Sequence, residues 1–102
     1  MTWVDATSAA LPGGTLVSVT DGSTTAAVAH AEAGRWHALD AWCTHAECPL
    51  TDGWVEGDAI RCACHAALFD LATGEALEGP TEEPVPVYPT RIVEGRVEVD
   101  LP

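Results

Sequence analysis

The chain has 102 residues, with 16 Asp and Glu against four Arg, no Lys, and a formal net charge of −12. Phosphate repels such a surface, which argues against nucleic acid and anionic membrane as partners; the charge suits proteins with basic docking faces, although charge alone favours a merely soluble acidic surface. The length predicts one domain, 1–102, with a modest core that buries about two-thirds of the unfolded surface. The first residues lack a basic segment followed by an apolar one, and no run of 18 apolar residues occurs, so the expected location is the cytoplasm and no membrane span is expected.

In chain order the reading is mostly strand. Residues 16–20 read as a strand that ends at Asp21 and Gly22, a turn signal. Residues 26–31 and 35–40 flank Glu32, Ala33 and Gly34 as a hairpin. The alanine-rich stretch 24–33 invites a helix, but strand is the expectation adopted. Residues 54–55 and 59–61 flank Gly57; 68–70 and 75–77 flank Thr73 and Gly74; 91–93 and 96–99 flank Gly95. The last pair alternates apolar and polar, as a half-buried antiparallel ladder does. Residues 78–89 hold four prolines and three glutamates and read as a stiff extended connection. Short strands with glycine turns predict an all-β fold, a small antiparallel sandwich or barrel. Trp3, Trp36, Trp42 and Trp54 read as core packing, and His30 and His37 as surface or packing residues.

The chemistry concentrates in two boxes. Cys43 and His45 stand two apart, Cys62 and His65 three apart, and 16 residues separate His45 from Cys62. Each box mixes one thiolate with one imidazole. A structural zinc site usually places two cysteines in one arm and two histidines in the other. At roughly 3.3–3.6 Å per residue, two or three residues cross only a small cluster. This pattern fits a [2Fe–2S] cluster in which two histidines replace the cysteines of one iron. A zinc site and a plain disulfide scaffold are the alternatives.

Residues 43–53 (Cys, Thr, His, Ala, Glu, Cys, Pro, Leu, Thr, Asp, Gly) and 62–74 (Cys, Ala, Cys, His, Ala, Ala, Leu, Phe, Asp, Leu, Ala, Thr, Gly) resemble the two cluster boxes of Rieske-type ferredoxins, the electron carriers of bacterial aromatic-ring dioxygenases. Gly79 and Pro80 resemble the family's proline loop over the cluster. The resemblance spans nearly the whole chain. It implies one [2Fe–2S] cluster bound by region 42–80, with Cys43 and Cys62 on the buried iron and His45 and His65 on the outer one. It implies transient docking, as a monomer, to a ferredoxin reductase and a terminal Rieske oxygenase, with Ala46 and Pro49 at the docking rim. A non-enzymatic electron-transfer component results; a small nitrite reductase subunit and a zinc-stabilised interaction module are the competing readings. Biphenyl, naphthalene and carbazole systems all use such carriers, and a carrier holds no pocket that names the substrate.

The same likeness carries three finer expectations. Respiratory Rieske proteins place hydrogen-bond donors where this chain has Ala67 and Phe69, so the potential should fall near the low end of the Rieske window, roughly −150 mV. Those proteins also join the second cysteine of each box, which here implies a Cys48–Cys64 disulfide. Two reduced thiols are the alternative, favoured by a reducing compartment. The family usually carries glycine where this chain has Ala66, so a left-handed backbone there would be strained and the local backbone is expected to differ slightly.

Overall fold

The computed structural model describes residues 2–43, 48–64, 66–79 and 82–102. The described residues form eleven strands and one short 3-10 helix, Leu50–Asp52. The strands are β1 (Thr2–Ser8), β2 (Leu16–Asp21), β3 (Thr24–His30), β4 (Trp36–Asp40), β5 (Trp54–Glu56), β6 (Ala59–Arg61), β7 (Leu68–Asp70), β8 (Ala76–Glu78), β9 (Val87–Tyr88), β10 (Thr90–Val93) and β11 (Arg96–Leu101). They make three antiparallel sheets, in the orders β1-β11-β10, β2-β3-β4-β9 and β5-β6-β7-β8.

Side chains alternate across a strand, and β3 uses both directions. Ala27 and Ala29 join one core with Leu39, Leu50, Ile60, Phe69, Leu71 and Val85. Ala26 and Val28 join the other with Val19, Trp36, Ala38, Val97, Val99 and Leu101. The β2-β3-β4-β9 sheet is therefore the middle layer, covered on both faces. That explains the alanines: a strand packed on both sides has room for small side chains, and its helical propensity is overridden by burial.

All five turns read from the sequence hold a glycine with positive φ: Gly22, Gly34, Gly57, Gly74 and Gly95. β11 alternates as expected, burying Val97, Val99 and Leu101. Its partner β10 does not: the consecutive residues Ile92 and Val93 are both exposed. Two strands have no counterpart in the sequence reading. β1 pairs Thr2 with Leu101, at the opposite end of the chain. β9 lies inside the proline-rich connection and pairs Tyr88 with Ala38.

The tryptophans need correcting. Trp36 is buried, but Trp42 is 52 % and Trp54 50 % exposed. Ala41 and Cys43 on either side of Trp42 point inward, which turns Trp42 outward, and Val55 is the inward residue of β5. Trp3 is also exposed, with the Arg91 guanidinium 4.0 Å from its ring centroid. His30 packs: its ring stacks on Trp36 at 4.4 Å, and Nδ1 lies 2.9 Å from the Leu11 carbonyl oxygen.

Candidate metal centre

Each box sits in a loop closed at its neck by backbone hydrogen bonds. In the first, the Cys43 N–H donates to the Cys48 carbonyl at 3.0 Å, and Trp42 and Pro49 form a bridge just outside. In the second, the Cys62 N–H donates to the Ala67 carbonyl at 2.7 Å, and the Ala66 N–H donates back to the Cys62 carbonyl at 3.1 Å. Both necks join residues five apart, and each box places its histidine, in sequence, between them.

The loops are anchored from outside. Asp40, at the end of β4, accepts the Trp42 N–H through Oδ1 at 3.0 Å and the Tyr88 hydroxyl through Oδ2 at 2.9 Å. One carboxylate thus ties the entry to the first box to β9. Burial, and then the Asp40 carboxylate, push the Tyr88 phenol up to about 12. The exit from the first loop meets the entry to the second at Gly53, where a Cβ would stand 1.8 Å from the Arg61 carbonyl oxygen; only glycine allows that approach.

The structure joins Cys48 and Cys64 in a disulfide, with their Cα atoms 6.3 Å apart. The Sγ atoms of Cys48, Cys62 and Cys64 all lie within 4.8 Å of one another. Cys43 and Cys62 are the cysteines outside the disulfide, and both are buried in the core that holds Leu50, Ile60, Ala67 and Phe69. Two buried thiols at the necks of two cross-linked loops, in apolar surroundings, suit a sulfur-bound iron shielded from water. His45, His65, Ala46 and Pro80 lie outside the described residues.

The remaining sequence candidates are placed as follows. Ala67 and Phe69 are fully buried, and neither offers a donor. Pro49 is half-buried. Gly79 has φ +111° and presses on the second box: a Cβ there would come within 2.7 Å of the Ala67 Cα. Ala66 does adopt the left-handed region, φ +59°, so the backbone keeps the glycine-like conformation and bears the strain. The expectation that this backbone would depart from it is corrected, since hydrogen bonds to Cys62 on one side and Arg61 on the other hold it in place.

Sequence reasoning missed Arg61. It precedes Cys62 directly, and its guanidinium binds the Ala66 carbonyl as well as the Glu56 carboxylate, whose acidity that bond strengthens. An arginine beside a ligand box in a chain with only four was the available signal.

A family model, the Rieske [2Fe-2S] domain, matches residues 2–89. The naphthalene 1,2-dioxygenase system ferredoxin component of Pseudomonas aeruginosa is 36% identical over 100 residues, covering 97% of this chain and 95% of that protein. A chain in the complex of reduced oxygenase and oxidized ferredoxin of carbazole 1,9a-dioxygenase superposes with a TM-score of 0.89 at 28% identity, covering 95% of this chain and all of the other. The Sphingomonas yanoikuyae B1 ferredoxin superposes with a TM-score of 0.87 at 32% identity, covering 99% of this chain and 100% of that one. With buried thiols at two pinched loops and an antiparallel scaffold that fits ferredoxins end to end, the chain belongs to the Rieske [2Fe-2S] family.

Proposed function

We propose that this protein is a one-electron carrier, taking electrons from an NAD(P)H-dependent reductase and delivering them to the terminal oxygenase of an aromatic-ring dioxygenase. The observation that carries the reading is end-to-end similarity to a ferredoxin component, combined with both Cys and His pairs at box spacing. Cys43 and Cys62 would hold the inner iron, and His45 and His65 the outer one. When bound, the [2Fe–2S] cluster supplies reversible one-electron chemistry at a potential raised by its neutral ligands.

The chain's own residues do the rest. Leu50, Ile60 and Phe69 keep water from the thiols, and the Cys48–Cys64 bond ties the two loops to one another. Ala67 and Phe69 withhold donors, which favours a low potential. The surface charge of −12 attracts basic partner faces and speeds encounter at low salt. Ala46, Pro49 and Pro80 are proposed for the rim of that encounter. The protein is read as one unit, 1–102, with the cluster region at 42–80, and as a monomer. No helix among the described residues is long and apolar enough to cross a membrane. The cytoplasm is the proposed location because NAD(P)H is there.

The test is reconstitution. The holoprotein, reduced by a reductase and mixed with oxidised oxygenase, should reoxidise in single turnovers that slow as salt rises. A protein that holds its cluster but delivers no electron to an oxygenase, and instead co-purifies tightly with a large reductase, would be the nitrite reductase type of subunit.

A further inference from the structure

Arg61 ends β6 and is the only cation that the described residues place on the second box. Its side chain is 18 % exposed. Nη1 donates to the Ala66 carbonyl at 2.8 Å, Nη2 to Glu56 Oε1 at 3.3 Å, and Nε to Glu56 Oε2. Nη1 also stands 3.7 Å from Glu78 Oε1 on β8. One planar fork therefore spans three segments: the end of β5, the end of β8 and the turn between Cys62 and Ala67. Glu56 is itself held, since the Trp54 indole N–H donates to Oε2 at 2.9 Å.

The turn has reason to need a fixed partner. Ala66 is in the left-handed region, which an L side chain disfavours, so its carbonyl direction is not the one the backbone would choose unaided. The sequence places Ala66 directly after His65. A guanidinium anchored by two carboxylates is a rigid donor for that carbonyl, where an ammonium would be a point charge on a flexible stem.

The geometry points to a role for this set: we propose that Arg61 is a positioning residue for the second cluster loop, and that the Glu56–Arg61–Glu78 charge balance contributes to the cluster's potential. This rests on the [2Fe–2S] reading given above. Reduction adds one negative charge to the cluster, so a nearby cation favours the reduced form and a nearby anion disfavours it. In the native set one cation faces two carboxylates. Removing the cation leaves both anions, while removing Glu56 leaves a one-to-one pair. The two changes act with opposite sign, which a loss of packing would not.

The experiment measures the reduction potential and the paramagnetic resonance of the reduced holoprotein for wild type, Arg61→Gln, Arg61→Lys, Glu56→Gln and Glu78→Gln. Arg61→Gln should move the potential downward, and Glu56→Gln and Glu78→Gln upward. Arg61→Lys keeps the charge and should stay near wild type in potential, yet lose its cluster faster on standing because the fork is gone. A downward shift or no shift in the glutamate variants, or an upward shift or no shift in Arg61→Gln, would overturn the inference. If Arg61→Gln fails to fold, the sign for the two glutamate variants and the lysine rescue still decide it. A wild-type protein without a [2Fe–2S] spectrum would sink the functional reading instead, and a wild-type spectrum with unmoved variants would sink only this one.

Discussion

Removing the Cys48–Cys64 cross-link, by Cys48→Ala with Cys64→Ser, should cost a large fraction of the protein's stability. Alanine suits the buried Cys48 position, and serine the exposed Cys64 position. The bond closes a loop of sequence separation 16. Chain entropy then gives about 3 kcal/mol at 25 °C, through restriction of the unfolded ensemble. The iron ligands do not replace this effect, because the cluster is lost on unfolding and cross-links only the native loops. For a domain of this size, about 3 kcal/mol lowers the midpoint by roughly 12 to 24 °C. The assay is a thermal scan of circular dichroism on the holoprotein at one fixed rate, since cluster loss makes unfolding irreversible and the midpoint rate-dependent. Visible absorbance in the same scan reports when the cluster departs. A drop below about 3 °C would refute the reasoning, and would mean that the unfolded chain gains little freedom from the missing bond.

Three further outcomes are expected. Ala66→Gly should stabilise the protein modestly, by about 0.5 kcal/mol: relief of roughly 1–2 kcal/mol of left-handed strain is offset by glycine's greater unfolded freedom. Denaturant midpoints check it, and a destabilisation would mean that the Ala66 methyl has a packing role. Tyr88 has a folded pKa of about 12, above its ordinary 10, so its neutral form is favoured in the native state. Its contribution is complete below pH 10 and is lost as pH rises through about 12. Tyr88→Phe should flatten the decline of stability over that window, read from unfolding midpoints against pH. Finally, voltammetry of the wild type should give a potential at the low end of the Rieske range, roughly −150 mV. Ala67→Ser and Phe69→Tyr, which add the missing donors, should raise it, whereas a wild-type value well above zero would contradict the argument from absent donors.

Much of this molecule is written locally. The two boxes depend on ligand type and spacing, which the sequence displays directly. The glycine turns at 22, 34, 57, 74 and 95 fix hairpins whose partners are neighbours in the chain. What escaped has a common cause, namely interactions that join distant residues. β1 finds its partner 99 residues away at Leu101, so no short window betrays it. β9 is two residues long and hidden among prolines. Trp42 and Trp54 are apolar, and only the parity of their buried neighbours shows that they face outward. Arg61 looked like one charge in a strand; its meaning appears only when the fold brings Glu56, Glu78 and Ala66 around one guanidinium. The need for a left-handed residue at position 66 was visible in the resemblance, but its realisation with alanine was not.

The central claim is that two thiols and two imidazoles hold a pair of irons unequally. The direct measurement is paramagnetic resonance of the dithionite-reduced protein, on material analysed for iron and acid-labile sulfide. The account predicts red-brown protein with about two of each per chain and the rhombic signal of a mixed sulfur–nitrogen cluster. Colourless protein carrying zinc, or an iron–sulfur signal typical of four cysteine ligands, would contradict it.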